Sequence, residues 1–364
     1  MKILYVCTWP DTLTDFDPKK SWSTCFGAKT LYLKGIQIEW HTHRRDTILY
    51  KICKWLPQAD QIFAQLSCIK KARKYDIIYI GFDMHLLPLG LAKWCGLLET
   101  PVFIVSHFMY NTRFSKNILK KLFTIIERKI VYRNIEKISF ASPSLLSLAQ
   151  QDYNMPNRHH SSCFWGANTH YYNPALFQEP ARRDIYIGVG QTNRDYDTLI
   201  KAFTVMEKSR CEIYTKSSQK GGGIPHNVTY INLMAGLTLN AAYKLLREKY
   251  YHCKAVLIPI KTLNDVPNGA TVLVEAIAMG RPVIITKAET NFIDVEKEGV
   301  GMSVEPGDVQ GWIKAISYLE NHPEELEAMS SRAYRLARKY YNDDNFTRNI
   351  YLHMANLLRR ELTA

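Results

Sequence analysis

DVPNGATVLVEAIAMGRPVIIT (Asp265 to Thr286) reads as a turn, a helix and a buried strand in succession. The polar turn Pro267-Asn268-Gly269 leads into Ala270 to Met279, an apolar run of helix length broken by one carboxylate, Glu275. Gly280 closes the helix, and Arg281 and Pro282 lead into the β-branched run Val283 to Thr286, the ordinary grammar of a helix stop followed by a buried strand. A helix that opens on a glycine turn presents free N–H groups at the positive end of its dipole, a setting suited to phosphate. Glu275 then has two readings. It is a solvated helix acid that complements the dipole, or it is part of a ligand site whose diphosphate rests on the amides of Gly269, Ala270, Thr271 and Val272.

Outward from this stretch the chain alternates strand-like and helix-like segments. KILYVCTW (Lys2 to Trp9) reads as a buried first strand, followed by a polar, aromatic loop and by LYLKGIQIEWHTH, which returns to a second strand. KICKWLPQADQIFAQLSCIKKARKY is one long Lys-rich amphipathic stretch; Asp76 to Phe82, Leu86 to Trp94 and Thr100 to Ser106 then read as strand, helix and strand. In DIYIGVGQTNRDYDTLIKAF (Asp184 to Phe203) a strand ends at Gly188-Val189-Gly190 and a helix begins after Asp195. Such alternation predicts parallel, doubly wound sheets whose ligands gather at the carboxyl ends of the strands. His107 stands at one such strand end, either as a hydrogen-bonded structural residue or as a functional one, and His85 stands at another. EELEAMSSRAYRLARKY and NFTRNIYLHMANLLRREL predict two long amphipathic helices near the C-terminus.

Length and composition narrow the function classes. The 364 residues suffice for two domains with their own cores, and 46% apolar with 12% aromatic residues places the chain among globular proteins. The eight cysteines form no C-x-x-C pair, which argues against a zinc site or a disulfide framework and for a reducing cytoplasm. Neither a signal peptide nor a membrane span is expected. The net charge of +13 is uneven, with +11 in residues 1–172 and +2 in the rest, so the N-terminal half is expected to face something anionic. Its densest basic segment, Arg113 to Lys137, spaces Ile118, Leu119, Leu122, Ile125, Ile126, Ile130 and Val131 at helical intervals. It reads as an element lying on an anionic membrane surface or as a core-packed helix with a solvated basic face. No nucleic-acid-binding signature accompanies the charge.

PNGATVLVEAIAMGRPVI resembles the nucleotide-binding segment of the retaining glycosyltransferases with the GT-B fold, the group 1 or family 4 type. The Ser-Pro-Ser segment in ISFASPSLLSLAQQDY, the turn in SSCFWGANTHYYNP and the opening of the second domain at Asp184 resemble other parts of the same family, and the likeness is weak over residues 10–75. The resemblance implies an α/β fold of two Rossmann-like domains facing each other across a cleft: an acceptor-side domain (1–174), a nucleotide-sugar domain (175–340) and a C-terminal helix (341–364) packing back on the first. It implies a nucleotide-diphosphate sugar, most likely UDP-linked, as co-substrate, with no other cofactor and no metal. It assigns Glu275 to the ribose, Arg194 and the helix amides to the diphosphate, and His107 to the donor sugar. Gly190, Gln191, Asn268, Gly269, Ala270, Thr271 and Val272 complete the donor site.

Three departures stand out. The first family loop carries a Gly-Gly pair where this chain has only Gly27. The basic residue after the strand is Gln191 here, which brings no charge. The first glutamate of the family's Glu-x7-Glu pair falls on Pro267, so that Asp265 substitutes, the amides around Asn268 and Gly269 hold the sugar, or the activity is altered. The expected activity is transfer of a sugar to a glycan or lipid-linked acceptor in surface polysaccharide or glycolipid synthesis, in the cytoplasm or peripherally on the inner leaflet of the plasma membrane, with no nucleic-acid partner. A sugar-nucleotide epimerase of the same fold and a non-catalytic binding module are the rival readings.

Overall fold

The computed structural model describes residues 1–7, 25–56, 59–82, 86–107, 118–153, 160–216, 223–233, 235–262, 267–291 and 293–361. They form two compact units, Met1–Trp165 with Asp343–Ala364, and Gly166–Asn342. The loop at 10–24, residues 113–117, His85 and Asp265, all singled out above, lie outside the described residues.

The first unit runs β1 (Lys2–Val6), α1 (Ala28–Leu33), β2 (Gln37–His41), α2 (Ile48–Cys53), α3 (Ala59–Ala72), β3 (Ile77–Ile80), α4 (Leu87–Trp94), β4 (Val102–Ser106), α5 (Ile118–Asn134), β5 (Lys137–Phe140), α6 (Pro143–Tyr153) and β6 (His160–Ser162). Among the described residues its sheet has six strands in the order β2-β1-β3-β4-β5-β6, every pair parallel. Parallel strands are covered by helices on both faces, so they read as unbroken apolar runs; Ile77 to Ile80 and Val102 to Val105 are fully buried.

The second unit runs β7 (Tyr186–Val189), α7 (Tyr196–Val205), β8 (Cys211–Thr215), β9 (Val228–Asn232), α8 (Leu239–His252), β10 (Ala255–Ile258), α9 (Ala270–Ala278), β11 (Val283–Thr286), β12 (Gly301–Val304), α10 (Val309–Asn321) and α11 (Pro323–Lys339). Among the described residues its sheet is again six parallel strands, in the order β12-β11-β10-β7-β8-β9. The chain winds outward from β7 to β9, then returns to the middle and winds the other way from β10. The switch point therefore lies between β7 and β10, where open parallel sheets bind ligands beyond their carboxyl ends.

The final helix, α12 (Asp343–Glu361), rejoins the first unit. Phe346, Ile350 and Met354 are fully buried in that unit's core. Gly27 admits the helix closely: a Cβ there would meet Thr347 Oγ1 at 2.8 Å and Ile350 Cδ1 at 2.9 Å. The Thr30 hydroxyl donates to the Asp343 carboxylate, and Lys34 pairs with Asp344 at 3.0 Å.

The helix and strand expected at 270–279 and 283–286 form at those positions. Elsewhere the structure differs in detail. The single stretch expected over 51–75 is two helices, α2 and α3, and the segment expected to return directly to a second strand begins instead as α1. The units divide at Trp165/Gly166 and Asn342/Asp343, where the sequence reading sets 174/175 and 340/341. The physical reason is that Ala167 N–H donates to the Tyr341 carbonyl at 3.0 Å and Tyr172 is buried in the second unit's core, so the chain joins that unit before Pro174.

In α5 the reading as a core-packed helix with a solvated basic face fails for the N-terminal half. Val131 is buried, yet Ile118, Leu119, Leu122, Phe123 and Ile126 are exposed, Leu119 by 76%. Among the described residues no helix is long and apolar enough to cross a membrane.

Candidate functional site

Two glycine turns and one arginine build the site at the switch point of the second unit. Gly190 ends β7 with φ 111°, and Asn193 follows with φ 55°. The bent turn is tied to the segment after β10: Asn193 Nδ2 donates to the Thr262 carbonyl at 2.6 Å, Thr262 N–H donates back to Asn193 Oδ1 at 3.0 Å, and Asp195 N–H donates to the Pro259 carbonyl at 3.1 Å. Asp195 then caps α7, accepting from Thr198 N–H at 3.2 Å and Thr198 Oγ1 at 2.6 Å. Between the bend and the cap, Arg194 has its backbone pinned and its side chain folded back. Its Nε donates to the Val189 carbonyl at 3.1 Å and its Nη1 to the Thr192 carbonyl at 2.9 Å.

The second turn presses on the same guanidinium. Gly269 is the N-cap of α9, with φ 83° and no side chain to satisfy the first-turn N–H groups. A Cβ on Gly269 would stand 2.4 Å from Ile258 Cγ2 and 3.6 Å from Arg194 Nη2; one on Gly190 would stand 2.7 Å from Arg194 Nη2. The guanidinium thus sits against two glycine backbones that are bare for steric as well as conformational reasons. Burial lowers its pKa, with Tyr196 opposing, and it stays a cation at any physiological pH. A fixed cation beside uncapped helix amides is the electrostatic arrangement that holds a diphosphate.

The other predicted donor-site residues surround this pair unequally. Gln191 and Thr271 are exposed, Asn268, Ala270 and Val272 are buried, and Pro267 is buried beneath the turn, its carbonyl accepting from Ala270 N–H at 3.3 Å.

Glu275, one turn and a half inside α9, is 4% exposed, which overturns its reading as a solvated helix acid. Tyr172 Oη donates to Glu275 Oε1 at 2.8 Å and Tyr250 Oη to Glu275 Oε2 at 3.1 Å. Among the described residues no cation pairs with it. Burial pushes its pKa up to about 7 against the pull of the two phenol hydrogen bonds. Each carboxylate oxygen keeps a second lone pair for a further donor.

Neither tyrosine was singled out in the sequence. Tyr172 lies in the segment where an aromatic precedes a proline, and Tyr250 on α8; their pairing with Glu275 spans 103 and 25 residues, beyond the reach of any local pattern.

His107 belongs to the first unit, so the structure does not group it with Arg194 and Glu275. It follows β4, 2% exposed, with Nε2 3.3 Å from the Gly81 carbonyl. Its ring stacks on Phe82 with centroids 4.8 Å apart and meets Phe26 and Trp165 edge-on at 5.1 and 4.9 Å. Burial drops its pKa to about 4, so at neutral pH it is an uncharged imidazole. Cys25 and Phe26 beside it both adopt left-handed φ, 47° and 52°, and Gly81 has no room for a Cβ, which would lie 2.6 Å from Phe26 Cβ. Among the described residues no group of three or more His, Cys, Asp or Glu is placed to hold a metal.

Two α/β units, each with a six-stranded all-parallel sheet, define the GT-B class of fold. Residues 177–336 match the model of the family described as glycosyl transferases group 1. No curated protein matches the chain. Among solved structures, HepE of Anabaena in complex with UDP-glucose aligns with 14% identity over 98% of this chain and 100% of its own, at a TM-score of 0.68. Sucrose-phosphate synthase from Thermosynechococcus elongatus aligns with 14% identity over 100% and 99% of the two chains, at 0.73. A UDP-N-acetylglucosamine 2-epimerase aligns with 13% identity over 96% and 94%, at 0.55. At these identities the likeness is one of fold.

Proposed function

We propose that this protein is a retaining, metal-independent glycosyltransferase that moves a sugar from a UDP-sugar to a glycan or lipid-linked acceptor in surface polysaccharide or glycolipid synthesis. The observation that carries the reading is the Arg194 guanidinium against the backbones of Gly190 and Gly269, beside the uncapped start of α9. Transfer requires the diphosphate to leave as positive charge builds on the anomeric carbon. Arg194 and the amides of Gly269 to Val272 are fixed where the leaving charge develops, and such preorganised donors lower the barrier. Gln191, exposed on the same turn, adds a neutral donor. Glu275, oriented by Tyr172 and Tyr250, accepts the ribose hydroxyls on its remaining lone pairs. The turn at Asn268 holds the transferred sugar, because Pro267 supplies no carboxylate; neutral His107 keeps the donor-sugar role that the family resemblance gives it. The incoming hydroxyl passes its proton to the departing phosphate, and no protein nucleophile is required.

The UDP and UDP-glucose complexes of the HepE structures support uracil as the base. The acceptor lies against the basic first unit. The exposed apolar residues of α5 and the positive charge of that half support a peripheral site on the anionic inner leaflet, facing the cytoplasm.

Incubation with a panel of UDP-sugars, with and without EDTA, tests the reading. Release of UDP with transfer or hydrolysis of the sugar, undiminished by EDTA, is the expected result. An isomerised donor without UDP would assign the protein to the epimerases, and binding without turnover would make it a non-catalytic module.

A further inference from the structure

The second unit holds another cavity, of about 640 Å³, at the far end of α9 from the glycine turns, where Met279, Gly280 and Arg281 leave the helix and enter β11. Three arginines line it, Arg183, Arg281 and Arg335, against one acid, Glu327, which is paired with Arg183. Arg281 is only 3% exposed; its Nε donates to the Met279 carbonyl at 3.1 Å and its Nη1 to the Cys253 carbonyl at 3.4 Å. Among the described residues no carboxylate pairs with Arg281 or Arg335. A guanidinium taken out of water without a counter-charge is costly, and burial pulls the pKa of Arg281 down to about 10.

Capping accounts for part of this, because a cation meets the negative end of α9 favourably. Capping does not account for the other groups. Ser330, on α11, is buried with its Oγ lacking a hydrogen-bond partner and lines the same cavity. Arg183 adopts φ 50°, a left-handed conformation that costs free energy in a residue with a Cβ, and is held there by its N–H donating to the His252 carbonyl at 2.8 Å. The rings of Tyr251 and Tyr334 supply apolar walls, the first fixed by stacking on Phe177 with centroids 4.1 Å apart.

We propose that this cavity binds a small phosphorylated metabolite of sugar-phosphate size, with its phosphate on Arg281, Arg335 and the Ser330 hydroxyl and its body between Tyr251 and Tyr334. A phosphate supplies the missing counter-charge for two guanidinia and an acceptor for the idle hydroxyl, the pairing in which arginine is strongest. The assignment is independent of the donor-site reading, since it uses none of the residues of the glycine turns.

Calorimetric titration of glucose 6-phosphate into the full chain at fixed ionic strength tests it, with glucose as the neutral control. Saturable binding of the phosphate ester and none of glucose is expected. Arg335→Ala, at an exposed position, should weaken that binding about ten- to a hundredfold, the scale of one charge-assisted hydrogen bond. Ser330→Ala should weaken it less, and Arg194→Ala should leave it unchanged. No saturable binding by the wild type, equal binding of glucose, equal affinity in Arg335→Ala, or loss of binding in Arg194→Ala would overturn the proposal; the last result would place the phosphate at the glycine turns.

Discussion

Glu275 is a carboxylate held without a cation in apolar surroundings, so its titration is coupled to folding. Its folded pKa, about 7, lies above the ordinary value of 4.5, so the folded state binds its proton more tightly. The contribution to stability is fully present below about pH 4.5 and is lost as pH rises to about 7. At 1.36 kcal/mol per pKa unit the loss is roughly 3 kcal/mol. Urea unfolding across this range should show the wild type losing that much relative to Glu275→Gln, with the difference level above pH 7. His107 carries the opposite sign. Its folded pKa, about 4, lies below the ordinary 6.5, so its contribution is present above pH 6.5 and disappears as pH falls towards 4. His107→Phe should remove that acid-side loss in the same measurement. The sequence marked both residues, Glu275 by its isolation in an apolar run and His107 by its place after a strand. It could not supply the environments that set their charge, since Tyr172, Tyr250, Phe26 and Trp165 arrive from distant parts of the chain.

The turn–helix–strand unit at Pro267–Thr286 was the most legible element. Its apolar run, its closing Gly280 and its β-branched strand all point to one structure, and α9 and β11 form there. Gly269 combines left-handed φ with a Cβ position blocked by Ile258. Gly269→Ala should therefore destabilise the protein by about 1–3 kcal/mol in chemical unfolding, the cost of a strained, overpacked site. It should also weaken UDP binding by shifting the uncapped amides at the start of α9. The join of α2 and α3 was illegible because one amphipathic, Lys-rich pattern runs through both helices. For α5 the periodicity predicted a helix but not which apolar residues stay exposed, a matter decided by where α4 packs. If the exposed face meets lipid, Leu119→Glu with Leu122→Glu should reduce co-sedimentation with anionic vesicles severalfold while leaving neutral vesicles unaffected. Equal wild-type binding to the two vesicle types would exclude an anionic membrane surface as the partner of the first unit.

At the scale of the whole molecule, the chain makes two parallel α/β units and then returns to the first. Alternation of strand and helix signals announced the parallel sheets, and the amphipathic pattern of the last twenty residues announced α12. The transfer of Gly166–Asn173 to the second unit was illegible, because it depends on a backbone pairing with Tyr341 and on the burial of Tyr172. Since Phe346, Ile350 and Met354 complete the first unit's core, ending the chain at Asn342 should destabilise that unit selectively. Hydrogen exchange should then show protection lost in β1, β3 and β4 and kept in β7, β10 and β11, because each fully buried apolar side chain contributes about 1.5–3 kcal/mol. Titrating UDP into the wild type and Arg194→Ala decides whether the cation at the switch point of the second unit holds the diphosphate of a nucleotide sugar. Saturable binding that weakens about ten- to a hundredfold in the variant is expected, the scale of one hydrogen bond to a charged group. Absence of UDP binding by the wild type, or equal affinity in the two proteins, would contradict it.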